Sequence, residues 1–129
     1  MAIDQSRIAR VENLMLQAAL QERTVPFRDL YSQFPKGSSS TDVYDTLEAA
    51  SANLASFSDA IYSAVLAKKG TGVPGDGFFD MFKTHRNAEY AAIAGSTNTL
   101  QLTLQQKEAI VAIERPRVYA HAKTWHVHP

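Results

Sequence analysis

Between Gly70 and Gly77 this chain places four glycines and one proline in eight positions. An apolar, β-prone run, residues 61–67, leads through Lys68 and Lys69 into that cluster, and Phe78, Phe79 and Phe82 follow it. Glycine opens backbone conformations closed to other residues and proline fixes one dihedral, so the cluster predicts a shaped loop rather than a linker. Apolar residues on both sides predict that the loop is tied into the core at each end. Binding surfaces concentrate on loops held by rigid scaffolds. Residues 68–77 are therefore the first candidate site.

The rest of the chain supplies mostly helical signals. Ile8, Val11, Leu14, Met15, Ala18 and Ala19 recur at spacings of three and four, the stripe of an amphipathic helix over residues 5–22, with Asp4 or Ser6 placed to cap it. Pro26 stops any helix before it and suits the first turn of the next, so Phe27–Phe34 reads as a two-turn helix with Leu30, Tyr31 and Phe34 inward. Thr41 is expected to cap a third helix buried through Val43, Tyr44, Leu47, Ala50, Ser51 and Leu54. Ile61–Ala67 reads as a strand and Phe78–Thr84 as a short helix, while Tyr90–Gly95 stays open between element types. Residues 100–102 fit a brief strand or a staple. Thr103 and Gln106 form a capping-box pattern opening a last helix through Ile110, Val111, Ile113, Val118, Tyr119 and Ala122. Pro116 is expected to kink or split that helix near Ile113–Glu114. The length of 129 residues predicts one domain. The predicted class is α+β, mainly helical: a winged helix-turn-helix-like domain over residues 1–129 with an additional C-terminal helix and a flexible tail at 124–129.

Composition removes several functions. The chain has no cysteine, which excludes disulfides, thiolate chemistry and Cys-based zinc sites. No apolar run approaches the roughly 18–20 residues of a membrane span. The first residues lack the apolar core of a signal peptide. A cytoplasmic location with no membrane partner is the expectation. Net charge is zero, yet residues 1–60 hold five basic and eight acidic side chains, and residues 61–129 hold eight and five. That asymmetry points to the second half for any anion-binding surface, while an excess of three charges is equally that of two simply solvated faces.

Two resemblances accompany these residues. Thr24-Val25-Pro26-Phe27-Arg28-Asp29-Leu30 is distantly similar to the entry into the winged helix of alkyltransferase-like proteins. Their acceptor cysteine would fall near Ser58–Ser63, and its absence here excludes alkyl transfer. The segment from Lys69 to Phe79, K-x-T-G-x-P-G-x-G-F-F in pattern, together with Arg117-Val118-Tyr119-Ala120-His121, more closely resembles a group of small, uncharacterised bacterial proteins. That resemblance implies a fold neighbourhood and no particular activity.

The candidate ligand-binding residues fall in four groups. In the glycine loop, Lys68, Lys69, Thr71, Gly75 and Gly77 would bring free backbone N–H groups, two cations and the start of the next helix toward a phosphate. No Gly-Lys-Ser/Thr follows, and the spacing is not that of a dinucleotide fingerprint. The same residues equally form a structural corner with a type II turn at Pro74–Gly75. Lys83, His85 and Arg86 would extend the basic patch, or simply close a solvated helix end. Arg115 and Arg117 would reach phosphates or acidic partners, or lie solvated over a buried Val118 and Tyr119. His121, His126 and His128 flank Trp125, but no nearby carboxylate completes a ligand set, and no metal or other cofactor is expected.

A fifth group argues the other way. Asp42, Asp45 and Glu48 lie on the third helix, where a DNA-recognition helix would carry Arg, Lys, Asn or Gln. Three acids there repel phosphate. The expected function is a non-catalytic binding module, nucleic-acid-associated through residues 68–86 and 115–123. The alternative is a protein-interaction domain that turns Asp42, Asp45 and Glu48 toward a basic partner. A third reading is an enzyme on a phosphate-containing substrate, with His85 as acid–base and Lys69 and Arg86 holding charge. No nucleophile–base pair stands at useful spacing, so no catalytic residue is assigned. A homodimer through the first or last helix is compatible with the pattern.

Overall fold

Val11, Met15, Ala18 and Ala19 form the buried stripe of the first helix, α1 (Ile8–Leu20), as their spacing predicts. Arg7 precedes that helix without a side-chain cap. That position was expected to be Asp4 or Ser6, of which Asp4 lies outside the described residues; the computed structural model describes residues 5–95 and 101–125. The chain leaves α1 through Glu22, at φ 52°, and passes Val25–Pro26 (β1) into the short helix α2 (Phe27–Tyr31). Its expected second turn is a looser turn ending at the buried Phe34.

The third helix, α3 (Ser40–Leu54), packs its stripe of Val43, Leu47, Ala50 and Leu54 against α1. Its cap is Ser39 rather than Thr41: the Ser39 hydroxyl accepts from the Asp42 N–H at 3.1 Å. Tyr44 is not buried as predicted but 39% exposed, because it sits at the margin of the stripe. There its ring meets Phe27 and Tyr31 edge-on.

The apolar run after α3 is only partly a strand. Tyr62–Val65 wind into a 3-10 turn, and Leu66–Ala67 alone form β2, which pairs parallel with β1, Val25 opposite Leu66. The reason is burial on every side: Ile61 through Leu66 are all enclosed, so no face selects the alternation of a strand. Pro26 lies in a sheet that has no central strand, where its missing N–H costs no inner ladder bond.

α4 (Asp76–His85) buries Phe78, Phe79 and Phe82, and the short helix α5 (Asn87–Ala94) resolves the segment left open by the sequence. Gly95, at φ 67°, caps α5 in the left-handed region. The capping box forms as predicted: the Thr103 N–H donates to Gln106 Oε1 at 2.8 Å, and the Gln106 N–H to Thr103 Oγ1 at 3.1 Å. α6 (Leu104–Trp125) then runs unbroken through Pro116, which corrects the expected split. Ile110, Val118 and Ala122 hold both halves of α6 to the core, and such packing outweighs the roughly 3 kcal/mol a helical proline costs. The architecture is mainly helical with one small two-stranded parallel sheet. No helix among the described residues is long and apolar enough to cross a membrane.

Candidate ligand cavity

The glycine loop closes on itself before it meets anything else. Lys68 N–H donates to the Val73 carbonyl and Gly72 N–H to the Lys68 carbonyl, both at 2.9 Å. Gly70 and Gly72 adopt φ of 91° and 75°, which is why residues without a Cβ stand there. The type II turn expected at Pro74–Gly75 is absent: Gly75 has φ −81° and serves instead as the N-cap of α4.

From Pro74 onward the loop becomes the wall of a cavity. About 350 Å³ in volume, it lies between α3 and the start of α4 and is lined by Phe27, Tyr44, Asp45, Glu48, Ser63 and Gly75 together with Lys68, Asp76, Gly77 and Phe78. Glu48 is part-buried at its inner side, and Ser63 Oγ donates to Glu48 Oε1 at 3.4 Å. A Cβ on Gly77 would stand 3.1 Å from Glu48 Oε2, so the carboxylate rests against the bare backbone of the first turn of α4. No ion pair reaches Glu48 among the described residues. Burial pushes its pKa up to about 7, the Ser63 hydrogen bond opposes this, and Asp45 and Asp80 add to the rise.

A pH dependence follows. The unfolded carboxyl releases its proton near 4.5, whereas the folded one keeps it to about 7. Between those values the folded state binds more protons, so this residue's contribution to stability falls as pH rises. The full shift discounted for the open mouth of the cavity corresponds to about 2 kcal/mol. Urea unfolding from pH 4.5 to 8 should show the native chain losing that amount relative to Glu48→Gln; parallel curves would refute the assignment.

The sequence-predicted residues are not gathered at one place. Lys68 is exposed at the rim of this cavity, whereas Thr71 lines a separate cleft with Gly72, Val73, Glu108 and Arg115. Lys69 lines a different cleft, with Thr24, Pro26, Phe27, Arg28 and Ala67. His85, exposed and edge-on to Phe57, shares a third cleft with Arg86. The trio Lys69, His85 and Arg86 is thus divided between two clefts. Lys83 is part-buried on α4, Asp42 sits in the first turn of α3, and Asp45 lines the cavity beside Glu48.

The three arginines expected to reach phosphates face inward partners instead. Arg86 donates to the Ser58 carbonyl at 2.7 Å and to Glu114 Oε1 at 3.4 Å. Arg117 forms a two-pronged pair with Glu89 at 2.7 and 2.5 Å and reaches Glu114 at 3.1 Å. Glu89 is held below the usual carboxylate range by the hydrogen bond from Arg117. Arg115 donates to the carbonyls of Ala64, Leu66 and Gly72 at 2.7, 3.1 and 2.8 Å. At the far end of α6, His121 Nδ1 pairs with the Tyr62 hydroxyl at 2.9 Å and its ring stacks near Trp125. His126 and His128 lie outside the described residues, within which no cluster of metal ligands forms.

Phe27, Tyr44 and Ser63 were not anticipated from the sequence as parts of a site. The signal available was the position of Glu48, an acid four residues from Tyr44 and directly after the buried Leu47. No protein-family model matches the chain, and neither a curated protein nor a solved structure matches it.

Proposed function

We propose that the protein is a non-catalytic binding module whose ligand seat is the cavity between α3 and the glycine loop, and that it receives a basic side chain presented by a partner protein. The observation that carries this is Glu48, a part-buried carboxylate on a cavity wall without an ion-pair partner among the described residues. Asp45 and Asp76 line the same space against a single cation among the described residues, Lys68. Phe27, Tyr44 and Phe78 supply aromatic surface, and aromatic faces together with a carboxylate attract ammonium and guanidinium groups. This favours the role of the acidic third helix as a protein-interaction surface.

Nucleic acid has less support. Arg86, Arg115 and Arg117 spend their donors on internal acceptors, and Asp76 with Glu48 surrounds the helix start that a phosphate would need. For a winged helix the order of α1, α2, α3, strand and loop speaks in favour; the parallel pairing of β2 with β1, where a wing pairs antiparallel strands, speaks against it.

The test is an NMR titration with Nα-acetyl-lysine and Nα-acetyl-arginine methylamides, and with the uncharged norleucine analogue as control. Shifts at Glu48, Ser63, Gly75 and Gly77 are expected for the cations only, growing as pH rises through 7 and the carboxylate ionises. Glu48→Gln should weaken binding at least about tenfold, since the cation loses its ionised, part-buried partner. Gly77→Ala, which crowds the carboxylate while improving helix propensity, should weaken binding without unfolding the chain. Unmoved spectra with the cations, beside salt-sensitive DNA binding that Lys68→Ala/Lys69→Ala abolishes, would replace this function with nucleic-acid binding.

A further inference from the structure

Phe27 is a wall with two sides. One side lines the acidic cavity, and the other lines a second cleft of about 400 Å³ with Thr24, Pro26, Arg28, Ala67 and Lys69. The charges on the two sides are opposite. Asp45, Glu48 and Asp76 stand in the first, whereas Arg28 and Lys69 stand in the second. Lys68 and Lys69 are consecutive residues at the end of β2, and they divide between the two spaces. The Arg28 side chain is 89% exposed, and its one ion pair among the described residues, to Asp29 on its own helix, is long at 3.9 Å. A guanidinium in that state keeps most of its donors for a ligand, and its fork matches a carboxylate.

We infer that the cleft beyond Phe27 is a second subsite, which takes an acidic side chain from the same partner segment whose basic side chain enters the Glu48 cavity. The inference rests on the function proposed above and adds the sequence character of the partner: a basic and an acidic residue on one extended stretch, laid across Phe27. Apolar surface from Phe27, Pro26 and Ala67 carries the stem of the acidic side chain, and Arg28 with Lys69 meets its head. A purely basic segment would fill the first seat and be repelled at the second. A purely acidic one would be repelled at the first.

The probes are acetylated, amidated glycine peptides holding one lysine and one glutamate, separated by a graded series of glycine spacers, each residue spanning roughly 3.3–3.6 Å. Each has a twin with glutamine in place of glutamate. Supporting the inference, at least one spacing should bind about fivefold more tightly than its glutamine twin. That gain should shrink with added salt and disappear in Arg28→Ala/Lys69→Ala, while the glutamine twins bind that variant as they bind the native chain. Equal affinity of twins at every spacing, or a gain that survives in the double variant, overturns the second subsite and leaves the first standing. Failure of every lysine peptide, twins included, overturns both. Because Arg28 and Lys69 are exposed, the double variant is expected to unfold at the same urea concentration as the native chain.

Discussion

Glu114→Ala should destabilise the fold by about 3–5 kcal/mol, the range expected when one member of a buried charged cluster is removed. Glu114 is fully buried on α6 and gathers three donors from separate parts of the chain. The Ile61 N–H reaches Oε2 at 2.9 Å, Arg117 reaches Oε1 at 3.1 Å, and Arg86 reaches the same oxygen at 3.4 Å. Without the carboxylate a buried N–H loses its acceptor. Arg86, whose side chain is only 11% exposed, also loses the nearer and buried of its opposite charges, with Glu89 left 4.0 Å away. Arg117 suffers less because Glu89 remains bound to it. Glu114→Gln should fall between the two, since the amide oxygen still accepts one hydrogen bond but carries no charge. With total stabilities of about 5–15 kcal/mol for domains in general, the alanine variant should be largely unfolded in moderate urea. A urea midpoint for Glu114→Ala within experimental error of the native one would show that the cluster contributes no net stability.

That cluster also shows where the sequence was legible and where it was not. The stripe Ile110, Val118 and Ala122 marks one face of α6, and position 114 falls on it at the same spacing of four. An acid on an apolar stripe was therefore a visible sign of a buried charge. Two of its three partners were not visible, because Ile61 and Arg86 lie 53 and 28 residues away. Local chemistry transferred best: the α1 stripe depends on residues three and four apart, and the capping box on residues three apart. Residues 61–66 misled because a run that is apolar but for Ser63 carries no periodicity to separate strand from 3-10 turn. The basic residues misled for a related reason. From sequence, an arginine is a charge waiting for a ligand, and only folding reveals that α6 spends Arg115 and Arg117 on the protein itself. Of the candidate site, the glycine loop and the acids of α3 were legible separately. Their meeting around one cavity was not, because Gly77 and Glu48 come together only through tertiary packing.

Arg115 is the joint between that cavity's loop and the core, and its replacement should separate stability from loop order. Its guanidinium holds the carbonyls of Ala64 in the 3-10 turn, Leu66 in β2 and Gly72 in the glycine loop. Three acceptors in three directions suit a rigid fork of donors and do not suit a single ammonium. Arg115→Ala should therefore cost about 3 kcal/mol, taking roughly 1.5–3 kcal/mol for each hydrogen bond to a charged donor and discounting those that water can replace. Arg115→Lys keeps the charge and should recover less than half of that loss. The more telling readout is amide hydrogen exchange. Gly72 is held both by its own N–H, bonded to Lys68, and by its carbonyl, bonded to Arg115. In Arg115→Ala the amides of Lys68 and Gly72 should exchange faster by more than the global loss of stability explains, while those of α1 follow the global change. A uniform acceleration across the chain would mean that Arg115 supports the core generally. A local one would place it as the anchor of the loop, and cation binding in the Glu48 cavity should then weaken in Arg115→Lys even where the fold is fully populated.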